Sequence, residues 1–125
     1  MTSRMRAFGL AGCLLAATVC AAQDAEPVCK PDGNQMEMNA CAARDLKAAD
    51  LELNRRYSAL MESLPASSRS ALRAEQRAWL KQRDPQCKKM TKKFEGGSIW
   101  ALEFSSCLQS ATEKRSRRLA DWKAN

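Results

Sequence analysis

Apolar residues recur at intervals of three and four along most of the chain, the spacing of one face of an α-helix. The first such line joins Met38, Ala42, Leu46, Ala49, Leu53, Tyr57, Leu60 and Leu64. Asn34 and Glu37 precede it with the spacing of a capping box, and Pro65 follows it. The pattern predicts a first helix of about thirty residues that begins after Asn34 and stops at Pro65.

A second line of inward positions mixes apolar and polar side chains. It joins Leu72, Gln76, Trp79, Arg83, Cys87, Met90 and Phe94. The segment ASS at 66–68 is expected to cap this helix. Because a proline inside a helix clashes with the carbonyl group four residues earlier, we expect either a kink or a break near Pro85.

A third line follows the glycine pair Gly96 and Gly97, and Ser98 is expected to cap its helix. The line joins Ala101, Phe104, Leu108, Thr112, Arg115, Leu119 and Trp122. The sequence contains no strand pattern and no internal repeat. We therefore predict an all-α domain over 34–125, an antiparallel bundle of three helices joined by short loops.

The amino-terminal segment differs from the rest in composition. Arg4 and Arg6 precede the apolar run AFGLAGCLLAATV, which is too short to span a bilayer, and small residues follow it. We interpret 1–22 as an export signal that is removed, and 23–33 as an irregular lead-in to the bundle. The expected location is the periplasm or the medium outside the cell, with no transmembrane segment left after removal.

One alternative lies within this segment. The letters LAGC resemble a lipoprotein box, which would anchor the chain to a membrane at Cys13. Only about six apolar residues precede that cysteine, fewer than the apolar core of an ordinary signal. Cleavage after Ala21 or Ala22 is the interpretation we prefer.

Charge and cysteine content narrow the class of protein. The chain has 21 basic and 14 acidic residues, a net charge of +7, and removal of Arg4 and Arg6 lowers this to +5. Removal also leaves four cysteines in an exported domain, the setting in which disulfides form. The heights of the cysteines along the bundle, estimated from the helix pattern, favour disulfides between Cys41 and Cys107 and between Cys29 and Cys87. The pairing of Cys29 with Cys41 and of Cys87 with Cys107 remains open.

Catalysis and metal binding are not predicted. The chain has no His and no C-x-x-C pair, which argues against a zinc site or a thiol redox centre. The carboxylates are scattered along helix faces without a glycine-rich loop or a nucleophile elbow. We therefore expect no enzyme activity, no catalytic residue and no cofactor.

Five segments follow one another through nearly the whole chain after the signal: MNACA, ADLELNRRY, QRAWLKQRDPQC, GGSIW and SCLQSATEKRSRRL. In this order they resemble the exported lysozyme-inhibitor LprI-like domain of bacteria. Pro85 departs from the pattern and puts the continuity of the second helix in doubt. The resemblance implies a helical, disulfide-linked envelope protein whose founding activity is lysozyme inhibition, with lysozyme as the protein partner.

Polar residues on the inward faces have two interpretations. As a structural layer they would lock the register of the helices, because a buried charge needs completed hydrogen bonds. As a surface site they would use Arg83 to bind an anion. We prefer the structural layer, which comprises Asp50, Asn54, Gln76, Arg83, Thr112 and Arg115.

The segment FEGGSIW is the candidate partner-binding loop. It places Ile99 and Trp100 after two glycines, with Lys92 and Lys93 just upstream. Its alternative is a plain connection whose apolar residues are tucked into the core. The basic runs CKKMTKKF and EKRSRRL support a second hypothesis, a non-catalytic envelope protein that binds anionic surface components. Export argues against nucleic acid as a partner.

Overall fold

The computed structural model describes residues 27–124. The predicted signal peptide, Cys13 and Cys20 lie outside the described residues. Helix α1 spans Gln35–Ser63, α2 spans Ala66–Thr91, a 3₁₀ turn spans Lys92–Phe94, and α3 spans Trp100–Ala120. No strand occurs between residues 27 and 124, so the predicted all-α bundle is confirmed over this range. Within it, no helix is long and apolar enough to cross a membrane.

The start of α1 is set by the predicted capping box. The Asn34 side chain accepts hydrogen bonds from the backbone N–H groups of Met36 and Glu37, and Glu37 accepts one from the backbone of Asn34. The helix ends one residue before the extended Leu64, because the residue that precedes a proline is disfavoured in the helical conformation. Asn34 and Pro65 thus bound this helix as the sequence predicts.

Neither serine cap expected for the later helices forms. Helix α2 begins directly after Pro65, whose carbonyl accepts from Arg69 N–H, and the ASS segment lies inside its first turn. The two-residue connection leaves no room for a separate cap. Helix α3 begins after Ile99 without a side-chain cap, and Gly96 takes the left-handed backbone conformation, φ 82°, that favours glycine.

At Pro85 the helix does not break. Helix α2 is continuous from Ala66 to Thr91, so that alternative is excluded. Proline has no backbone N–H, so the carbonyl of Lys81 receives no helical hydrogen bond from Pro85. Both residues are exposed. Water can therefore satisfy that carbonyl. Farther along α2, the predicted inward position Met90 is wrong: it is 72% exposed, and Thr91 is buried instead.

The three helices run up, down and up. Asn39 of α1 approaches Ser98 just before α3, and Asp50 approaches Thr112, so α1 and α3 are parallel. Helix α2 runs against both and packs on α3, while α1 and α3 form the closest pair. The core cluster is Leu53, Leu72 and Leu119, around which Tyr57, Leu60, Met61, Leu64, Trp79 and Trp122 pack.

The disulfide pairing corrects the preferred prediction. The bonds join Cys29 to Cys41 and Cys87 to Cys107, with Cα atoms 4.5 Å and 5.7 Å apart. Residues of α1 and α3 that lie at the same height along the bundle differ in number by 59 to 62. Cys41 is therefore about six residues, or ~9 Å along the axis, from the level of Cys107. That separation rules out a direct bond between them.

Candidate functional site

One polar cluster joins all three helices around Arg83. Its Nη1 donates to Asp50 of α1 at 2.8 Å and to the Thr112 hydroxyl of α3 at 3.1 Å, and its Nε donates to the neighbouring Asp84. The guanidinium carbon also lies 5.5 Å from the centre of the Trp79 ring. The Arg83 side chain is 14% exposed, so these contacts leave little of it for a ligand.

A second polar cluster surrounds Arg115, which is 4% exposed. Its Nε donates to the Gln76 side chain at 2.8 Å, and its Nη1 forms an ion pair with Glu75. The other oxygen of Glu75 accepts from the indole N–H of Trp122 at 2.8 Å. Glu75 of α2 thus bonds both to α3 and to the segment that follows α3.

Glu75 and Trp122 complete the cluster, although the predicted network did not include Glu75. Hydrogen bonds from Arg115 and then from Trp122 hold the pKa of the Glu75 carboxyl below its usual range. A carboxylate beside Gln76 and a tryptophan in the polar segment DWKAN were the available sequence signals. Trp122 was expected inside the third helix but lies beyond its end at Ala120 and folds back.

The six residues of the predicted polar layer therefore separate. Asp50, Arg83 and Thr112 meet in one cluster, and Gln76 and Arg115 meet in the other. Asn54 joins neither: it is exposed and makes no side-chain hydrogen bond within residues 27–124. It lies on the rim of a shallow groove between α1 and α2 that Tyr57 also lines.

The predicted partner-binding loop is a turn at one end of the bundle, residues 92–99, which we call the glycine turn. Lys92 forms an ion pair with Glu95 at 3.0 Å, and the Lys93 ammonium lies 4.8 Å from the centre of the Phe94 ring. Ile99 is 39% exposed. The structure thus brings two of the predicted cations and one apolar side chain to the same exposed turn.

Trp100 is placed differently from its neighbours in the turn. It begins α3, is half-buried, and stacks on Phe104 with ring centres 5.2 Å apart and planes 5° apart. Asn39 of α1 reaches the carbonyl of Ser98 at 3.5 Å. The ring of Trp100 therefore belongs to the base of the turn, while Ile99 projects from it.

A groove of about 820 Å³ lies between α2 and α3. Trp79, Met90, Phe94 and the disulfide between Cys87 and Cys107 supply its apolar lining. Its charged residues include Lys114, Arg115 and Arg118 toward the carboxyl end of α3. Among the described residues, no group of His, Cys, Asp or Glu side chains is arranged to hold a metal ion.

The chain is similar to known proteins along most of its length. The chain is 35% identical over 113 residues to a protein of Rhizobium meliloti (strain 1021) described as "Uncharacterized protein R02472", and the match covers 80% of this chain and 81% of that protein. No solved structure matches the chain. The family model described as "Lysozyme inhibitor LprI" matches residues 27–119, from the lead-in to the end of α3. The chain belongs to the LprI lysozyme inhibitor family.

Proposed function

We propose that this protein is exported, binds lysozyme and inhibits it by occluding the substrate cleft, without turnover. The observation that carries the proposal is membership of the inhibitor family across residues 27–119. The predicted signal peptide at 1–22 is consistent with action outside the cytoplasm. An inhibitor of this kind needs no catalytic group, only a rigid surface complementary to its target.

The glycine turn is the proposed contact surface. A lysozyme cleft works through two carboxyl groups, so a cation next to an apolar side chain is a suitable plug for it. Lys92, Lys93 and Ile99 are exposed together at the end of the bundle. Lys92 already pairs with Glu95, so Lys93 is the stronger candidate for the carboxyl contact.

Trp100 supports this surface from below. Its stacking on Phe104 fixes the first turn of α3 and thereby the position of Ile99, the residue before it. A turn held at its base loses less conformational entropy when it enters a cleft. Trp100 is half-buried and remains a proposed contact residue through the part of its side chain that is exposed.

A turbidity assay against several lysozymes tests the proposal, and Ile99→Asp is the informative variant. We expect it to weaken inhibition by at least about tenfold, because burial of a carboxylate in an apolar contact is costly. Leu51→Asp is the matched control: Leu51 is 63% exposed on α1, far from the turn, and the change should leave inhibition within about twofold. Equal inhibition by both variants would remove the glycine turn from the interface.

Trp100→Ala and added salt separate the inhibitor from the anionic-surface alternative. Trp100→Ala should weaken inhibition by about tenfold or more, the size of an aromatic hot spot. Since the exported chain and many animal lysozymes are both basic, moderate salt should leave inhibition equal or improve it. Binding that salt abolishes, with no effect of Trp100→Ala, would favour a protein whose basic faces bind anionic envelope components.

A further inference from the structure

Three of the five basic residues that line the groove between α2 and α3 lie at one end of it. Lys114, Arg115 and Arg118 lie within little more than one turn of α3 and all line it. Trp79 of α2 is at this end too, because Gln76 and Arg115 are hydrogen-bonded across the two helices. We call this the basic end of the groove.

Along the remaining length of the groove, the charge of Arg83 is already paired with Asp50 and Asp84. The disulfide between Cys87 and Cys107 lies farther along it, followed by Met90 and Phe94. Met90 is 72% exposed, so its apolar side chain is accessible in this part of the groove. Lys93 and Glu103, the charged residues at the far end, have opposite signs and offset each other.

The buried Arg115 at the basic end is not fully hydrogen-bonded. Its Nε and Nη1 are bonded to Gln76 and Glu75, but its buried Nη2 has no hydrogen-bond acceptor among the described residues. An unpaired buried donor is costly, and the cost is greater on a charged group. Lys114 and Arg118 are exposed and form no salt bridge within residues 27–124.

We propose that this groove binds a single-chain anionic lipid, with its phosphate or carboxylate head at the exposed Lys114 and Arg118, beside the buried Arg115. The hydrocarbon chain lies along the disulfide toward Met90 and Phe94. The uneven charge distribution selects this occupant: an acidic peptide would be matched by cations along the whole groove, whereas a lipid carries its charge at one end. The proposal goes beyond lysozyme inhibition, since none of the head-binding residues belongs to the glycine turn.

Calorimetric titration of the exported form with dodecyl phosphate, kept below its micelle concentration, tests the proposal. Dodecyl maltoside has the same chain without the anionic head, and inorganic phosphate is the head without the chain. We expect saturable binding of one dodecyl phosphate per protein, at least about tenfold tighter than either control compound.

Variants locate the site. Lys114→Ala with Arg118→Ala should weaken dodecyl phosphate binding by at least about tenfold, as should Met90→Asp at the other end. Lys88→Ala with Lys89→Ala is the matched control, because it removes the same charge from exposed residues of α2 outside the groove lining. This control should change the affinity by less than about threefold.

Three outcomes would overturn the proposal. Equally tight binding of inorganic phosphate would show an anion site only, and equally tight binding of dodecyl maltoside would show an apolar groove without head selectivity. An equal loss in the Lys88 and Lys89 control would show non-specific attraction to a basic face. Lysozyme inhibition is measured separately on the same variants, so failure of either proposal leaves the other decidable.

Discussion

The two ends of the bundle are stabilised by different means. The end at the α1–α2 connection, here the core end, contains Leu53, Leu72 and Leu119, each at most 3% exposed. The opposite end, here the disulfide end, contains both disulfides and the glycine turn. Most of its buried residues are small or sulfur-containing, Cys41, Ala42, Cys87 and Thr91, and Leu108 next to Cys107 is a buried aliphatic residue there.

This difference shows how a small domain can keep an apolar surface free for binding. Burial stabilises the core end, whereas covalent bonds stabilise the disulfide end with little apolar packing. The disulfide end can therefore expose Met36, Met90 and Ile99, at 67%, 72% and 39%. Both proposed binding surfaces, the glycine turn and the apolar part of the groove, lie toward it.

The largest expected effect comes from breaking the core end. Leu72→Ala should lower the free energy of unfolding by about 3 kcal/mol, because Leu72 is fully buried and its loss leaves a cavity. Urea denaturation measures this change. Leu51→Ala, at a 63% exposed position, is the control and should stay within about 0.5 kcal/mol. Similar losses in both variants would mean that the Leu53 cluster is not the main core.

Removal of the disulfide between Cys87 and Cys107 tests the other end. The double Ser variant should lose about 2–3 kcal/mol, because the bond closes a loop between two helices. Hydrogen exchange should increase around the glycine turn and much less around Leu72. The same change at Cys29 and Cys41 should cost less, since that bond ties the lead-in to α1. A uniform increase in exchange would contradict the division into two ends.

The Arg83 cluster, between the two ends, gives an intermediate effect. Arg83→Ala should lower the free energy of unfolding by about 2 kcal/mol, less than for a fully buried pair, because Asp50 is 39% exposed and regains water. Asp84→Ala removes only the exposed partner and should cost at most about 0.5 kcal/mol. An Arg83 variant as stable as the parent would revive its interpretation as an anion site.

The smallest effect concerns pH and the Glu75 cluster at the core end. Since the folded pKa of Glu75 lies below its unfolded value, its contribution is fully present above about pH 4.3 and is lost as the pH falls through the folded pKa. Glu75→Gln should therefore destabilise the protein at pH 7 and flatten this part of the acid transition. Thermal unfolding from pH 7 to pH 3 measures it, and parallel pH profiles for both forms would contradict it.

The helices and most of their bounds follow from local signals. Asn34 and Glu37 define one helix start, Pro65 defines a stop, and the spacing of Leu53 and Leu72 identifies inward faces. The cap expected in the ASS segment does not form because only Leu64 and Pro65 separate α1 from α2, and Ser98 does not cap α3 because that helix begins one residue later than predicted, after Ile99. Met90 fails because its face of α2 lies along an open groove, where helical spacing alone cannot distinguish a packed face from an uncovered one.

The polar clusters are only partly predictable for a similar reason. Spacing places Gln76, Arg83 and Arg115 on inward faces, and buried charge requires partners. Which carboxylate pairs with Arg115 depends on how far side chains reach across two helices. The predicted polar layer therefore missed the exposed Glu75 and included the exposed Asn54. A long arginine contacts residues beyond its own level, which a list of inward positions does not represent.

The sequence by itself determined the helical class, the capping box, the number of disulfide cysteines and the family to which the chain belongs. These depend on local spacing, on chemical type and on the order of motifs, all of which are present in the linear chain. Only the tertiary structure decided the disulfide pairing, the partners of Arg115 and the groove with its uneven charge. Each of these depends on the relative axial shift of the helices, and a shift of one turn, about 5.4 Å, changes every cross-helix neighbour without altering the pattern within any helix.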